Sequence, residues 1–252
     1  MPVYLALVLV AVIANALAAF SGGGAGLLQF PALIFLGLPF SIALATHKVA
    51  TVALGVGSTA RYMKERLFDK RFALFMLATG VPGAILGANL IVKVNDQIAQ
   101  IALGIFMLIP GIYSMCKPKL GTVETVKNRS TKGYVIGGLV LFVIGFLNGS
   151  LTSGTGLLVT LWLVRWFGFE YKKAVAYTMV LTGFFWNAAG AITMILISEV
   201  KWDWLVPLLF GALAGGYAGA HIAIKQGSGW IKRGFELVTI AVGLMLIARG
   251  LR

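Results

Sequence analysis

Acidic residues, cysteine and histidine are all scarce in this 252-residue chain, and each scarcity closes off a class of function. The one cysteine, Cys116, excludes an internal disulfide and leaves no thiol cluster for a metal. The two histidines, His47 and His221, stand far apart and outside any HExxH or CxxC-type spacing, so no metal site and no cofactor is expected. Eight acids stand against 21 basic residues, and almost all of the acids fall in loops. They offer no paired carboxylates for acid–base chemistry and no intramembrane ligands for a cation. The chain therefore reads as neither an enzyme nor a cation transporter.

Charged residues make up only 12% of the sequence, against about 25% in an average soluble domain. Hydrophobic residues make up 59%. Runs of about 17–25 apolar residues, the length that crosses a bilayer, recur along the whole chain. No polar stretch is large enough to be a second domain. The fold class is an all-α polytopic membrane protein, a single transmembrane domain over residues 1–252. The net charge of +13 sits in short loops between apolar runs. It is a topology signal facing anionic lipid, and no nucleic-acid partner is expected. The opening "MPVYLALVLVAVIANALAAF" lacks a basic n-region and reads as a permanent segment, not a cleaved leader.

Ten apolar segments are expected, over about 3–20, 24–37, 41–60, 72–92, 97–115, 134–150, 154–167, 173–198, 203–224 and 231–250. Segments 24–37 and 154–167 are short. Fourteen helical residues rise about 21 Å, less than a hydrocarbon core of about 30 Å. Each follows a Gly/Ser/Thr-rich break, so each is read as the returning arm of a re-entrant helical hairpin. With two such hairpins, loops 61–71 and 116–133 and the basic clusters near 165–173 and 225–233 share one side. That side holds 16 of the 21 basic residues and is assigned to the cytoplasm.

The halves resemble each other. "GGGAGLL" at Gly22–Leu28 matches "TSGTGLL" at Thr152–Leu158, "GAILGANL" at Gly83–Leu90 matches "GGYAGAHI" at Gly215–Ile222, and "LGIFMLI" at Leu103–Ile109 matches "VGLMLIA" at Val242–Ala248. Repeat 1 spans about 1–115, a cytoplasmic linker about 116–133, and repeat 2 about 134–252. Each repeat is one hairpin plus three spanning helices. Three is odd, so the second repeat enters from the opposite face: two inverted repeats, an arrangement common in secondary transporters.

In that arrangement the two breaks meet near the membrane midplane, where half-helix N-termini offer free N–H groups and about half a positive charge each. Backbone and hydroxyl donors for a small anion come from Ser21, Gly22, Gly23, Gly24, Thr152, Ser153, Gly154 and Thr155. Close helix packing is the competing explanation for these glycines. In "ATHKVAT", Lys48 either supplies charge to the cavity or snorkels to the outer interface, with Thr51 as a further lining group. His47 either carries a coupling proton or is a hydrogen-bonded structural histidine. Gln29 either faces the cavity or bonds a neighbouring helix. Asn148 and Asn187 are further lining candidates, and Trp186 is read as packing.

The motifs "GGGAGLLQFPALIFLGLP", "A-x-A-T", a "D-K-R" loop and "PGAILGANL", with "GFLNGSLTSGTGLLVTLWLV" in the second half, resemble the sulfite exporter TauE/SafE family, also called the toluene-sulfonate uptake permeases. The resemblance runs from about Leu17 to Arg249. It implies a multi-pass transporter in a prokaryotic inner membrane that moves a small sulfur-containing anion, sulfite or an organosulfonate. Export by alternating access is the expected activity; a passive anion channel and an uptake permease for a compound such as thiosulfate are the alternatives. A coupling proton or other ion and a homodimer stay open.

Overall fold

A computed structural model describes residues 2–90, 96–150 and 154–251. Most of those residues are helical, with no strand among them. The first half contains α1 (Pro2–Ser21), α2 (Ala25–Phe35), α3 (Phe40–Tyr62), α4 (Lys70–Leu90) and α5 (Asp96–Met115). The second half contains α6 (Thr131–Ser150), α7 (Thr155–Trp166), one long interrupted helix, α10 (Trp202–Gln226) and α11 (Ser228–Gly250). The interrupted helix is α8 (Tyr171–Tyr177), a π-helical stretch (Thr178–Trp186) and α9 (Asn187–Ile197). Each of the ten expected segments falls on a helix.

Five helices among the described residues are long and apolar enough to cross a membrane: 3–21, 70–90, 131–150, 171–197 and 202–226. The 23-residue α3 is also long enough, and His47, Lys48 and its threonines interrupt its apolar run. The helices that flank each glycine-rich break are unequal in length. α1 and α6 each have 20 residues, against 11 in α2 and 12 in α7. The 20-residue helices rise about 30 Å, enough to cross, whereas the shorter ones rise about 16–18 Å. The long helix continues through small polar residues such as Ser21 and Ser150 until the glycine-rich break ends it. α6 and α7 run antiparallel: Trp166 Nε1 donates to the Gly133 carbonyl at 3.0 Å and Trp162 Nε1 to the Gly137 carbonyl at 3.3 Å.

Small residues set the helix pairing. Gly211, Gly215 and Gly219 bring α10 against the backbone of Val8, Val12 and Ala16, so α1 and α10 run parallel. In the same way Gly83 and Gly87 of α4 meet Phe142 and Phe146 of α6, and Gly145 and Gly149 meet Gly80 and Ala84. A Cβ at these glycines would collide with the partner's backbone, and such close approach drives helix association in lipid. The first helix of each half therefore packs on the fourth element of the other half. α5 and α11 pair antiparallel, with Gly104 facing Gly243 and Gly111 facing Thr239. α3 crosses the π stretch where Gly55 meets the backbone of Gly183 and Phe184.

At one end of the molecule the basic loops meet. Glu65, just past α3, accepts from Arg61 at 3.0 Å and from Lys172, at the start of the interrupted helix, at 2.8 Å. Lys173 pairs with Glu124 of the linker at 2.7 Å. Ser228, the first residue of α11, donates to Glu170 at 3.0 Å and accepts from the Lys172 backbone N–H at 3.1 Å. Loop 61–69, the linker, residues 170–173 and the start of α11 thus share one face.

Candidate functional site

Both glycine-rich breaks reach a single small cavity of about 40 Å³. It lies beside the middle turns of α3 and the π stretch. α2 and α7 begin at its wall, each after a glycine in the left-handed region: Gly24 at φ 104° and Gly154 at φ 80°. An L-residue pays about 1–2 kcal/mol for that conformation, so glycine is the residue the turn requires. The first N–H groups of both helices, from Ala25, Gly26, Thr155 and Gly156, belong to residues that line the space. Such groups have no intrahelical acceptor.

Lys48 lines the cavity and is 1% exposed. Its Nζ donates to the Asn148 carbonyl at the end of α6. No carboxylate lines the cavity, and no ion pair involves Lys48 among the described residues. The ammonium is buried rather than snorkelling. His47, also buried, lines the same wall, and its Nδ1 has no hydrogen-bond partner among the described residues. Opposite, Asn148 Nδ2 donates to Thr155 Oγ1 at 3.0 Å while Asn148 Oδ1 is buried and unpaired. Thr182 Oγ1, on the π stretch, is buried and unpaired as well. Thr51 donates back to the Lys48 carbonyl at 2.9 Å and also lines the cavity.

The residues singled out from sequence separate into three groups. Gly23, Gly24, His47, Lys48, Thr51, Asn148, Gly154, Thr155 and Asn187 all line the cavity. Ser21, Gly22 and Gln29 do not. Ser21 Oγ is turned back to the Leu17 carbonyl at 2.7 Å and the Gly23 carbonyl at 3.0 Å. Gly22 is packed against Thr160 of α7, whose hydroxyl donates to the Gly22 carbonyl at 3.1 Å. Gln29 Oε1 accepts from Asn15 Nδ2 at 2.7 Å and so ties α2 to α1. Thr152 and Ser153 lie outside the described residues. The packing explanation accounts for Gly22 and contributes at Gly23, where a Cβ would sit 2.6 Å from the Leu157 nitrogen. Trp186 is buried away from the cavity, against Gly80.

Thr178, Met179, Thr182 and Gly183 line the cavity and escaped the sequence reading. A signal for three of them was present. "ATHKVAT" at Ala45–Thr51 aligns with "AYTMVLT" at Ala176–Thr182, which sets His47 against Thr178, Lys48 against Met179 and Thr51 against Thr182. All six face the same space. At these positions both halves of the chain contribute to the cavity wall, and the basic side chain, Lys48, comes from the first half.

The sulfite exporter TauE/SafE family model matches residues 7–246. The chain belongs to the TauE/SafE family. This TauE/SafE chain is 27% identical to a probable membrane transporter of Bacillus subtilis, YunE, over 98% of each chain. It is 29% identical to a probable membrane transporter of Haemophilus influenzae, over 87% of this chain and 85% of the relative. Its identity to YfcA of Escherichia coli K12, a further probable membrane transporter, is 26% over 94% of this chain and 87% of that one. No solved structure matches. The protein is accordingly a membrane transporter of the TauE/SafE family, not an enzyme.

Proposed function

We propose that this transporter exports a small sulfur oxyanion, sulfite above all, held in the cavity between the two glycine-rich tips. The observation that carries the proposal is a buried ammonium beside two half-helix N-termini, with no carboxylate among the described residues that line the space. One unit charge and two half-charges amount to roughly two positive charges aimed at one point. An anion is the ligand such a site stabilises. The cavity volume of about 40 Å³ favours sulfite over the bulkier organosulfonates. Export, rather than uptake, follows the family's description.

Alternating access around inverted repeats is the mechanism we infer. The matched packing of α1 on α10 and α6 on α4 supports it, as do the paired lining residues on α3 and the π stretch. The antiparallel α6–α7 pair supports a hairpin that enters and leaves on the linker side. The shared face of the basic loops supports their cytoplasmic assignment. In this reading the two repeats, 1–115 and 134–252, form one transmembrane domain in a prokaryotic inner membrane. His47 is the lining group suited to carry a coupling proton.

The test is thermal stabilisation of the purified protein in detergent by sulfite, thiosulfate, sulfoacetate, isethionate and chloride, with a sodium control. Sulfite should raise the melting temperature most. A flat response to every anion would sink the proposal. Everted membrane vesicles should accumulate labelled sulfite; accumulation only in right-side-out vesicles would reverse the direction.

A further inference from the structure

We propose that the linker-side end of α5, α6 and α7 holds one anionic phospholipid, its head in a basic pocket and one tail in the apolar groove that adjoins it. The pocket, about 570 Å³, is lined among the described residues by Tyr113, Lys117, Lys119, Lys127 and Arg165 with two apolar neighbours and no acid. The groove, about 530 Å³, is lined by residues of α5, α6 and α7 such as Val143 and Leu161, and Arg165 is its only charged lining residue among the described residues. Tyr113 and Arg165 line both, so the two spaces adjoin, with the Arg165 guanidinium 5.9 Å from the Tyr113 ring between them.

The groove has the direction a lipid requires. On α7 it runs from Arg165 at the linker end down to Leu158, and on α6 from Val140 down to Leu147. Each is about two helical turns, or about 10 Å, leading away from the basic end toward the bilayer interior.

Charge selects the head. Lys117, Lys119, Lys127 and Arg165 form no ion pair among the described residues, and the linker's Glu124 is engaged by Lys173. Four unneutralised cations around one pocket are unfavourable until an anion joins them, and basic pockets between helices at the cytoplasmic interface recognise anionic head groups. The pocket is also built into the fold. The linker is fastened to the end of α7 by Thr125 N–H on the Gly168 carbonyl at 2.7 Å, Lys127 N–H on the Phe167 carbonyl at 3.2 Å and Asn128 Nδ2 on the Trp166 carbonyl at 2.8 Å. Lys127 and Arg165 are held together by these bonds.

Native mass spectrometry of the detergent-purified full chain, titrated with palmitoyl-oleoyl phosphatidylglycerol or the matching phosphatidylcholine, tests this. One phosphatidylglycerol should bind at least tenfold more tightly than phosphatidylcholine. Lys127→Gln with Arg165→Gln should abolish that preference, and Val143→Trp should weaken both lipids by blocking the groove. Equal affinity for the two lipids, or a preference that survives the double substitution, overturns the proposal. So does a loss of self-association in the Val143→Trp variant, relative to the parent protein, with lipid retention intact, because that would make the groove a contact between copies. A double variant that fails to fold is replaced by Lys117→Gln with Lys119→Gln, which lies in the exposed linker and should reduce the preference severalfold.

Discussion

Replacing Lys48 with methionine should weaken anion binding while leaving the protein at least as stable. Methionine keeps the length and apolar bulk of the lysine stem and removes only the ammonium. A unit charge about 4 Å from a bound anion, at an effective dielectric constant of about 20, contributes about 4 kcal/mol. Each 1.4 kcal/mol is about tenfold in affinity, so full loss of that attraction corresponds to about a thousandfold. The remaining half-helix donors and hydroxyls can re-form part of it, and a loss of at least about a hundredfold is expected. The same ammonium is buried, 1% exposed, with a backbone carbonyl as its hydrogen-bond partner and no counter-ion among the described residues. Replacing a buried charge by an apolar side chain of similar volume is often neutral or stabilising. In sulfite-free buffer the melting temperature should hold or rise. The assay is a sulfite titration of both proteins by thermal shift, with isothermal calorimetry for the dissociation constant. Affinity within threefold of the parent, or a melting temperature that falls sharply without ligand, would refute the assignment of Lys48 as the charge of the site.

Thr182→Val should weaken sulfite binding about tenfold or more, since a hydrogen bond to a charged group is worth about 1.5–3 kcal/mol, with little change in melting temperature because Thr182 Oγ1 has no partner to lose among the described residues. Gly24→Ala and Gly154→Ala should each lower stability by about 1–2 kcal/mol through the left-handed backbone they demand, read by denaturant melts. Glu65 is held below the ordinary carboxylate range by its hydrogen bond from Lys172 and then that from Arg61. A depressed carboxyl contributes stability above its unfolded value, near 4.3, that is lost as pH falls through the folded value. Acidification below about pH 4 should therefore loosen the loop-side end, and Glu65→Gln should flatten that part of the stability–pH curve.

Helix number and the convergence of the two breaks were legible because glycine clusters in long apolar runs have few uses in lipid. Which glycine does what was not. Gly22 and Gly24 are two residues apart in sequence, yet one touches Thr160 and the other caps α2 at the cavity. Only the rotation of the chain through the break separates them. Gln29 was ambiguous for a related reason: an amide one turn into a half-helix can face cavity or neighbour, and here Asn15 captures it. A threonine in a membrane helix can bond back to the preceding turn, and nothing local in the sequence marks Thr178 or Thr182 as more than that. Thr178 does bond back to Ala174 at 2.9 Å. Their place in the cavity comes from the crossing with α3, a tertiary fact that only comparison between the halves could have disclosed.

The size of the cavity carries a consequence for selectivity. A buried water needs about 10–15 Å³ of such volume, so a space of about 40 Å³ takes about three waters. Any ion that occupies it must leave nearly its whole hydration shell behind. Discrimination among anions then depends on how much hydration free energy the fixed donors return, and the ranking should follow dehydration as well as charge. Sulfate, doubly charged and firmly hydrated, would enter at a larger loss than hydrogen sulfite, and the ambient pH, by setting the charge on the sulfur oxyanion itself, would decide which species the chamber accepts.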